Sequence, residues 1–151
     1  MKLLRPIALT LLCSAPLTAQ AQIYTDDLSR CLVESSTHQD KLTLVRWMFS
    51  AMALHPSVQS MASINADQRD QANQEVAGLF MQLTTERCLP QLQNAVKYEG
   101  PLALQASFRV LGQVAAQELF ANPEVKQGMA GLQQHMDNER LQQVLKPLMP
   151  Q

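Results

Sequence analysis

The sequence has few of the residues from which catalytic loops and metal sites are built. It contains five glycines in 151 residues and no glycine-rich segment of the kind that holds phosphate groups. It also lacks a Gly-x-Ser-x-Gly motif for a nucleophile. The three histidines, His38, His55 and His135, form no His-x-x-x-His pair and have no acidic neighbour in a recognised metal pattern. We therefore expect neither an enzyme nor a protein with a resident cofactor.

The sequence also lacks clustered positive charge and strand patterning. Its 12 basic and 13 acidic residues nearly balance, and the basic ones are scattered singly along the chain. A protein that binds nucleic acid or anionic lipid usually concentrates its basic residues in a patch, so neither partner is expected. No stretch alternates apolar and polar residues with β-branched enrichment, and no Asn-Gly or Asp-Gly turn is present.

The first 21 residues have the pattern of a secretory signal peptide. Lys2 and Arg5 precede an apolar stretch at 7–17, and Ala19-Gln20-Ala21 is a small-x-small cleavage site. The apolar stretch is too short to span a bilayer. Cleavage after Ala21 would leave a single helical domain of 130 residues, 22–151, with ten basic and thirteen acidic residues and a net charge of −3. We expect this domain to be periplasmic or secreted, with no membrane span.

Cleavage would also change the cysteine count from three to two. Cys13 lies within the predicted signal peptide, so Cys31 and Cys88 would remain in an oxidising compartment. An even count there predicts one disulfide between them. Their wide separation disfavours a redox-active pair, which is usually Cys-x-x-Cys.

Helical periodicity extends over nearly the whole remaining chain, and it predicts a compact all-α bundle of about five to six helices, stapled by the disulfide. Several starts have cap signals: Thr25, Thr37 with Asp40, Asn65 with Gln68, and Asn122 before Pro123. Gly100 is expected just past a helix end. The predicted segments are 24–36, 37–55, a short turn within 56–64, 65–88, 90–100, 102–120, 122–136 and 139–146.

The second predicted helix is apolar on all sides, which indicates either the central helix of the bundle or a face reserved for a partner. Arg46 interrupts its apolar run and is followed by Trp47. Arginine and tryptophan are frequent anchors of protein interfaces. Arg46 and Trp47 are therefore the candidate interface, although an arginine at the edge of the bundle is the simpler structural explanation.

Met48, Met52 and His55 lie at i, i+4 and i+7 on the same predicted helix. Two thioethers and an imidazole on one face could bind Cu(I) in an exported protein. Methionine is also the usual gap filler of helical cores, and we favour that interpretation here.

Two resemblances to exported helical families bear on function. Residues 64–69, Ile-Asn-Ala-Asp-Gln-Arg, resemble the Leu-Thr-x-x-Gln-Arg helix start of Spy-type periplasmic chaperones, and residues 83–87, Leu-Thr-Thr-Glu-Arg, resemble it less closely. The whole plan, a signal peptide followed by about 130 helical residues with a disulfide, is similar in architecture to the immunity proteins that neutralise type VI secretion amidases.

These observations predict an exported protein that works by binding another protein. Inhibitor or immunity protein and envelope-complex subunit are the leading hypotheses, and a Spy-like chaperone or a Met/His copper-binding protein is the alternative.

Overall fold

A computed structural model describes residues 22–148 of the chain. The predicted signal peptide and the last three residues of the predicted domain lie outside this range.

The described residues form an all-α fold, which confirms the predicted fold class, and they contain no β-strand. A π-helical turn at Leu83–Arg87 follows α4, and 3-10 turns at Gly131–His135 and Lys146–Leu148 follow α7 and α8. The eight α-helices of this part of the chain are α1 Ile23–Glu34, α2 His38–Met52, α3 Pro56–Gln59, α4 Ala66–Gln82, α5 Leu89–Glu99, α6 Leu102–Ala121, α7 Pro123–Ala130 and α8 Asn138–Leu145.

Five of these helices, α1, α2, α4, α5 and α6, pack into a bundle around one small core. Helix α6 is its centre, because α1, α2 and α5 all pack against it, while α4 packs mainly against α2. Helix α2, in contrast, buries only Leu44 and Ser50. Its apolar character therefore does not make it the central helix, and much of its apolar surface remains uncovered. The core consists of Leu28, Leu32, Leu44, Leu79, Leu83, Cys88, Ala95, Ala103, Leu111 and Ala115.

The predicted capping boxes are present at the N-termini of α2 and α4, with Thr37 and Asn65 as the N-cap residues. The Thr37 hydroxyl accepts a hydrogen bond from the Asp40 amide, and the Asp40 carboxylate accepts one from the Thr37 amide. Asn65 and Gln68 make the same reciprocal pair. These bonds satisfy backbone donors that a helix start leaves unpaired, which is why such short sequence patterns locate helices well.

The N-cap of the first helix is Gln22, three residues before the predicted cap Thr25. Thr25 lies inside α1 and is buried, and Gln22 at the cap position makes no side-chain hydrogen bond. The carboxylate of Glu99, at the end of α5, accepts hydrogen bonds from the amides of Tyr24 and Thr25, both at 2.9 Å. The prediction was wrong because a residue distant in sequence supplies the cap.

A disulfide joins Cys31 of α1 to Cys88, the residue before α5, as the sequence predicts, with the two Cα atoms 5.9 Å apart. Next to it, the Arg87 guanidinium donates to the Ser35 carbonyl at 2.9 Å and to the Asp40 carboxylate at 2.8 Å. The disulfide and this arginine therefore hold three elements together: the end of α1, the start of α2 and the π-helical turn.

The chain after α6 differs from the bundle in its burial. Within residues 123–148, here called the C-terminal arm, no residue is buried. Helix α7 contacts the end of α6, and α8 is packed mainly against the short turn that follows it. The arm thus leaves its own apolar side chains open to solvent.

No helix of residues 22–148 combines the length and apolar character that crossing a membrane requires.

Candidate docking groove

A concave and almost entirely apolar surface lies between α2, α4 and α6 and is here called the apolar groove. Trp47 and Met48 of α2 line one side, Phe80 and Met81 of α4 the other, and α6 contributes Phe108 and Gly112. Its volume is about 810 Å³. Ligand and peptide sites are typically concave and mostly apolar in this way, so the groove is the default candidate for a binding site.

An aromatic pair joins two helices of the groove. The rings of Phe80 on α4 and Phe108 on α6 stack with centroids 4.7 Å apart. Such pairs contribute about 0.5–1.5 kcal/mol beyond the area they bury. Phe80 nevertheless remains 39% exposed, because nothing in the described chain covers its outer face.

Gly112 keeps the α6 side of the groove open. A Cβ atom at this position would meet no neighbouring atom within 4 Å, so the backbone does not need glycine there for close packing. A glycine inside a helix costs about 1 kcal/mol relative to alanine. The helix thus carries a destabilising residue whose visible effect is to widen the groove.

The two residues of the sequence-predicted interface lie on different surfaces. Trp47 is half-buried in the apolar groove, and its indole N–H donates to the Asn73 side chain at 3.1 Å. Arg46 lies on the other side of the seam between α2 and α4, where its guanidinium is 3.6 Å from the Glu75 carboxylate. An exposed pair of this kind contributes at most about 1 kcal/mol. The structure therefore separates the aromatic from the cation and does not bring them together in one patch.

Arg109 is the charged residue that lines the apolar groove, on α6 next to Phe108. Within residues 22–148 it forms no ion pair. A guanidinium at the edge of an apolar surface favours a partner that brings a carboxylate to it. Arg109, Phe80 and Gly112 could not be recognised as site residues from the sequence, because the groove joins three helices and the sequence shows only the apolar stripe of each helix.

A second apolar surface continues from the end of α2. Phe49, Met52 and Leu54 are all more than half exposed. Phe49 also lines a smaller cleft of about 380 Å³ beside Ile64 and Arg46. The uncovered surface of α2 thus extends to both sides of its seam with α4.

The three residues of the copper hypothesis lie in different surroundings. Met48 points into the apolar groove, whereas Met52 lies among the exposed residues at the end of α2. The Nδ1 atom of His55 accepts a hydrogen bond from the Ser57 amide at 3.2 Å and so caps α3. Within the described part of the chain, no three His, Cys, Asp or Glu side chains come together as a metal site.

An ion cluster connects α2 to α6 away from the groove. The Lys41 ammonium donates to Glu118 at 2.5 Å, and the His38 imidazole lies 3.3 Å from the other oxygen of that carboxylate. The hydrogen bond from Lys41, with the contribution of His38, holds the pKa of Glu118 below its ordinary value. This arrangement positions α2 against α6.

Comparison of the chain with protein families, with curated proteins and with solved structures finds no significant match. The groove must therefore be interpreted from its own geometry and chemistry. At residues 64–69 the resemblance to Spy-type chaperones coincides with a capped helix start, but residues 83–87 continue α4 as a π-helical turn and start no helix.

Proposed function

We propose that this is an exported helical protein that acts by binding another protein through the apolar groove. The observation that carries the proposal is the groove itself, a large apolar concavity with an anchor-type aromatic, Trp47, in its wall. Monomeric proteins rarely leave contiguous apolar surface of this kind uncovered unless it binds something. Export, in turn, is supported by the signal-peptide pattern of residues 1–21.

The shape and charge of the groove favour an apolar helix as the bound segment. Three helices form its walls, and an amphipathic helix commonly binds such a groove through residues spaced at i, i+3, i+4 and i+7. Arg109 adds a preference for an acidic residue at the edge of the bound segment. The geometry supports an inhibitor, immunity protein or envelope-complex subunit, each of which requires one specific partner.

A chaperone is the second candidate, and a separate observation favours it. The exposed Phe49, Met52 and Leu54 add apolar surface outside the groove, which would let the protein hold many unfolded clients weakly. A copper-binding role has less support, because His55 already uses Nδ1 to cap α3 and Met48 and Met52 lie in different surroundings.

The test is site-specific photocrosslinking in cells that export the protein. A photoreactive phenylalanine replaces Gln113, which lines the groove, or Gln74, another exposed glutamine, in the polar cleft beside Arg46. We expect a crosslinked protein from position 113 and much less from position 74. One product whose mass exceeds this chain by that of a different protein indicates a dedicated partner, a product of twice the mass of this chain indicates a second copy in the groove, and a broad series of products indicates a chaperone. Equal crosslinking from both positions, or none from position 113, would contradict the proposed site.

The Trp47→Ala variant tests whether the groove wall contributes to binding. It should reduce the crosslink from position 113 because it removes the largest apolar side chain of the groove wall. Circular dichroism and the melting temperature of Trp47→Ala provide the control. A loss of about 3 kcal/mol or more in stability would show that Trp47 belongs to the core and not to a binding surface.

A further inference from the structure

The C-terminal arm carries an apolar stripe that nothing in the described chain covers. On α8 and the turn after it, Leu141, Val144, Leu145 and Leu148 lie at i, i+3, i+4 and i+7, which places them on one helix face. All four are exposed, and Leu148 is 75% exposed. The chain thus displays two apolar surfaces without a partner, a groove in the bundle and a stripe on the arm.

The stripe and the groove have matching lengths. From Phe108 to Ala116, α6 lines the groove over eight residue steps, about 12 Å at 1.5 Å per residue. Helix α8 has eight residues and is therefore also about 12 Å long.

Their charges are complementary as well. Arg109 lines the groove and forms no ion pair within residues 22–148. Asp137 is the N-cap of α8, four residues before Leu141, and one of its carboxylate oxygens accepts the Arg140 amide at 3.0 Å, which leaves the other oxygen for a cation. A helix that placed Leu141 and Leu145 in the groove would have an acidic residue at one end for Arg109.

We propose that α8 of a second copy of this chain occupies the apolar groove, and that the exchange is reciprocal in a two-fold symmetric dimer. Each molecule then fills its partner's groove, so the same pair of surfaces is buried twice. The dimer would use the same groove as the proposed function. A different protein partner would therefore have to displace the arm before it could bind.

A second copy fits better than the molecule's own arm. Asn122 caps α7 directly after α6 ends, with Pro123 at the first helical position. Helix α7 and the 3-10 turn after it are together about 22 Å long. For α8 to enter its own groove, this segment would have to fold back along α6 and cover the groove that α8 is to fill. An arm from another molecule meets no such obstacle.

The first experiment measures the mass of the purified exported protein by sedimentation equilibrium over a wide concentration range. We expect a dimer. Leu145→Gln should weaken the dimer about a hundredfold, because one buried leucine is lost from each of the two arms. An exposed residue on the opposite face of α8 provides the control, and Gln143→Ala should leave the dissociation constant unchanged.

The groove is tested by a matched pair of glycine substitutions. Gly112→Gln places a side chain inside the groove, and Gly78→Gln places the same side chain in the polar cleft on the other side of α4. Neither new Cβ meets an atom within 4 Å, and both changes replace glycine in a helix with a better helix former, so both variants should fold. We expect Gly112→Gln to be mainly monomeric and Gly78→Gln to remain a dimer.

A mixing experiment separates a second copy from the molecule's own arm. One chain carries Ala116→Cys and a differently tagged chain carries Leu145→Cys. Mild oxidation of the mixture should form a disulfide between these cysteines, which gives a product that carries both tags. The alternative is a protein that stays monomeric at all concentrations and binds more of the dye 8-anilinonaphthalene-1-sulfonate when Leu145 is replaced by Gln. This result would show that the arm covers the groove of its own molecule, and it would overturn the proposal. A monomer unaffected by any of these changes, or a dimer unaffected by Leu145→Gln, would also overturn the proposal.

These outcomes remain distinct from those of the proposed function. If the protein is monomeric but position 113 still crosslinks a different protein, the dimer inference fails and the proposed function stands. The Leu145→Gln variant leaves the groove free of the partner copy's arm, so it can also carry the photoreactive group at position 113. If the dimer forms as described and this variant crosslinks no other protein, the dimer stands and the proposed function fails.

Discussion

The carboxylate of Glu99, at the end of α5, closes the start of α1 by binding Thr25. One oxygen accepts the Thr25 hydroxyl at 2.5 Å and the Thr25 amide at 2.9 Å, and the other accepts the Tyr24 amide. The rings of Tyr24 and Tyr98 stack beside this contact, with centroids 4.7 Å apart. The hydrogen bond from the Thr25 hydroxyl, with those from the two amides, holds the pKa of Glu99 below its ordinary value.

Glu99 should therefore make stability depend on acid. Because its pKa is lowered by folding, its contribution is fully present above about pH 4.5 and is lost as the pH falls through the lower, folded-state pKa. Glu99→Gln should lower the urea midpoint at pH 7 and have a much smaller effect at pH 3. Glu34→Gln, at an exposed position at the end of α1, is the control and should change neither midpoint. A Glu99→Gln effect that is equal at both pH values would contradict the carboxylate as the source.

Asp40 adds acid dependence of the same sign. Burial raises the pKa of Asp40, but hydrogen bonds from Arg87 and Thr37 outweigh that effect, so the pKa lies below its ordinary value. The Glu99→Gln variant should thus still lose stability in acid, because Asp40 remains. This residual loss provides an internal check on the Glu99 comparison.

The disulfide should be the largest single contribution to stability among these contacts. Cys31 and Cys88 are separated by 57 residues, for which the chain-entropy model gives about 4 kcal/mol. The double variant Cys31→Ser/Cys88→Ser should lose roughly this amount in denaturant unfolding at neutral pH. Reductant should destabilise the wild type by a similar amount and leave the double variant unchanged. Equal midpoints for the oxidised wild type and the double variant would show that the bond does not constrain the unfolded chain.

Local sequence signals located most of the helix boundaries. The capping boxes at Thr37 and Asn65 and the Asn122-Pro123 start were all confirmed, as was Gly100 at the end of α5. Each depends on residues within a few positions of one another. Such patterns can be interpreted before the fold is known because the hydrogen bonds they predict are local.

Contacts between distant residues could not be predicted in this way. The Glu99 cap of α1 spans 74 residues and Arg87 connects three elements, yet neither residue differs in sequence from an ordinary surface charge. The stripes of the arm and of α2 resembled core stripes, because amphipathicity shows that a face is apolar and not what covers it. For the same reason the sequence could indicate Trp47 as an interface anchor. That Trp47 and Arg46 lie on different surfaces became visible only with the packing of α2 on α4.

Ser107 provides a buried contact between α6 and α1 that can be removed alone. The residue is fully buried, and its hydroxyl donates to the Thr25 carbonyl at 3.0 Å. Ser107→Ala should destabilise the protein by only about 1 kcal/mol, since that carbonyl also accepts from the Ser29 hydroxyl and is not left unpaired. Ser107→Val should cost more, about 1–3 kcal/mol, because it adds volume where two helices touch. Ser63→Ala, at an exposed position, should have almost no effect on the denaturant midpoint.

Gly100 should be the glycine that cannot be replaced without loss. It ends α5 with φ +86° and ψ 176°, a backbone conformation that is essentially restricted to glycine. A Cβ atom there would touch nothing within 4 Å, so the cost of Gly100→Ala arises from backbone strain and not from a clash. We expect a loss of about 1–3 kcal/mol. Gly128→Ala, inside α7 with equally open surroundings, should instead be neutral or stabilising by up to about 1 kcal/mol. Denaturant midpoints of the two variants that shift in the same direction would refute the assignment of strain to Gly100.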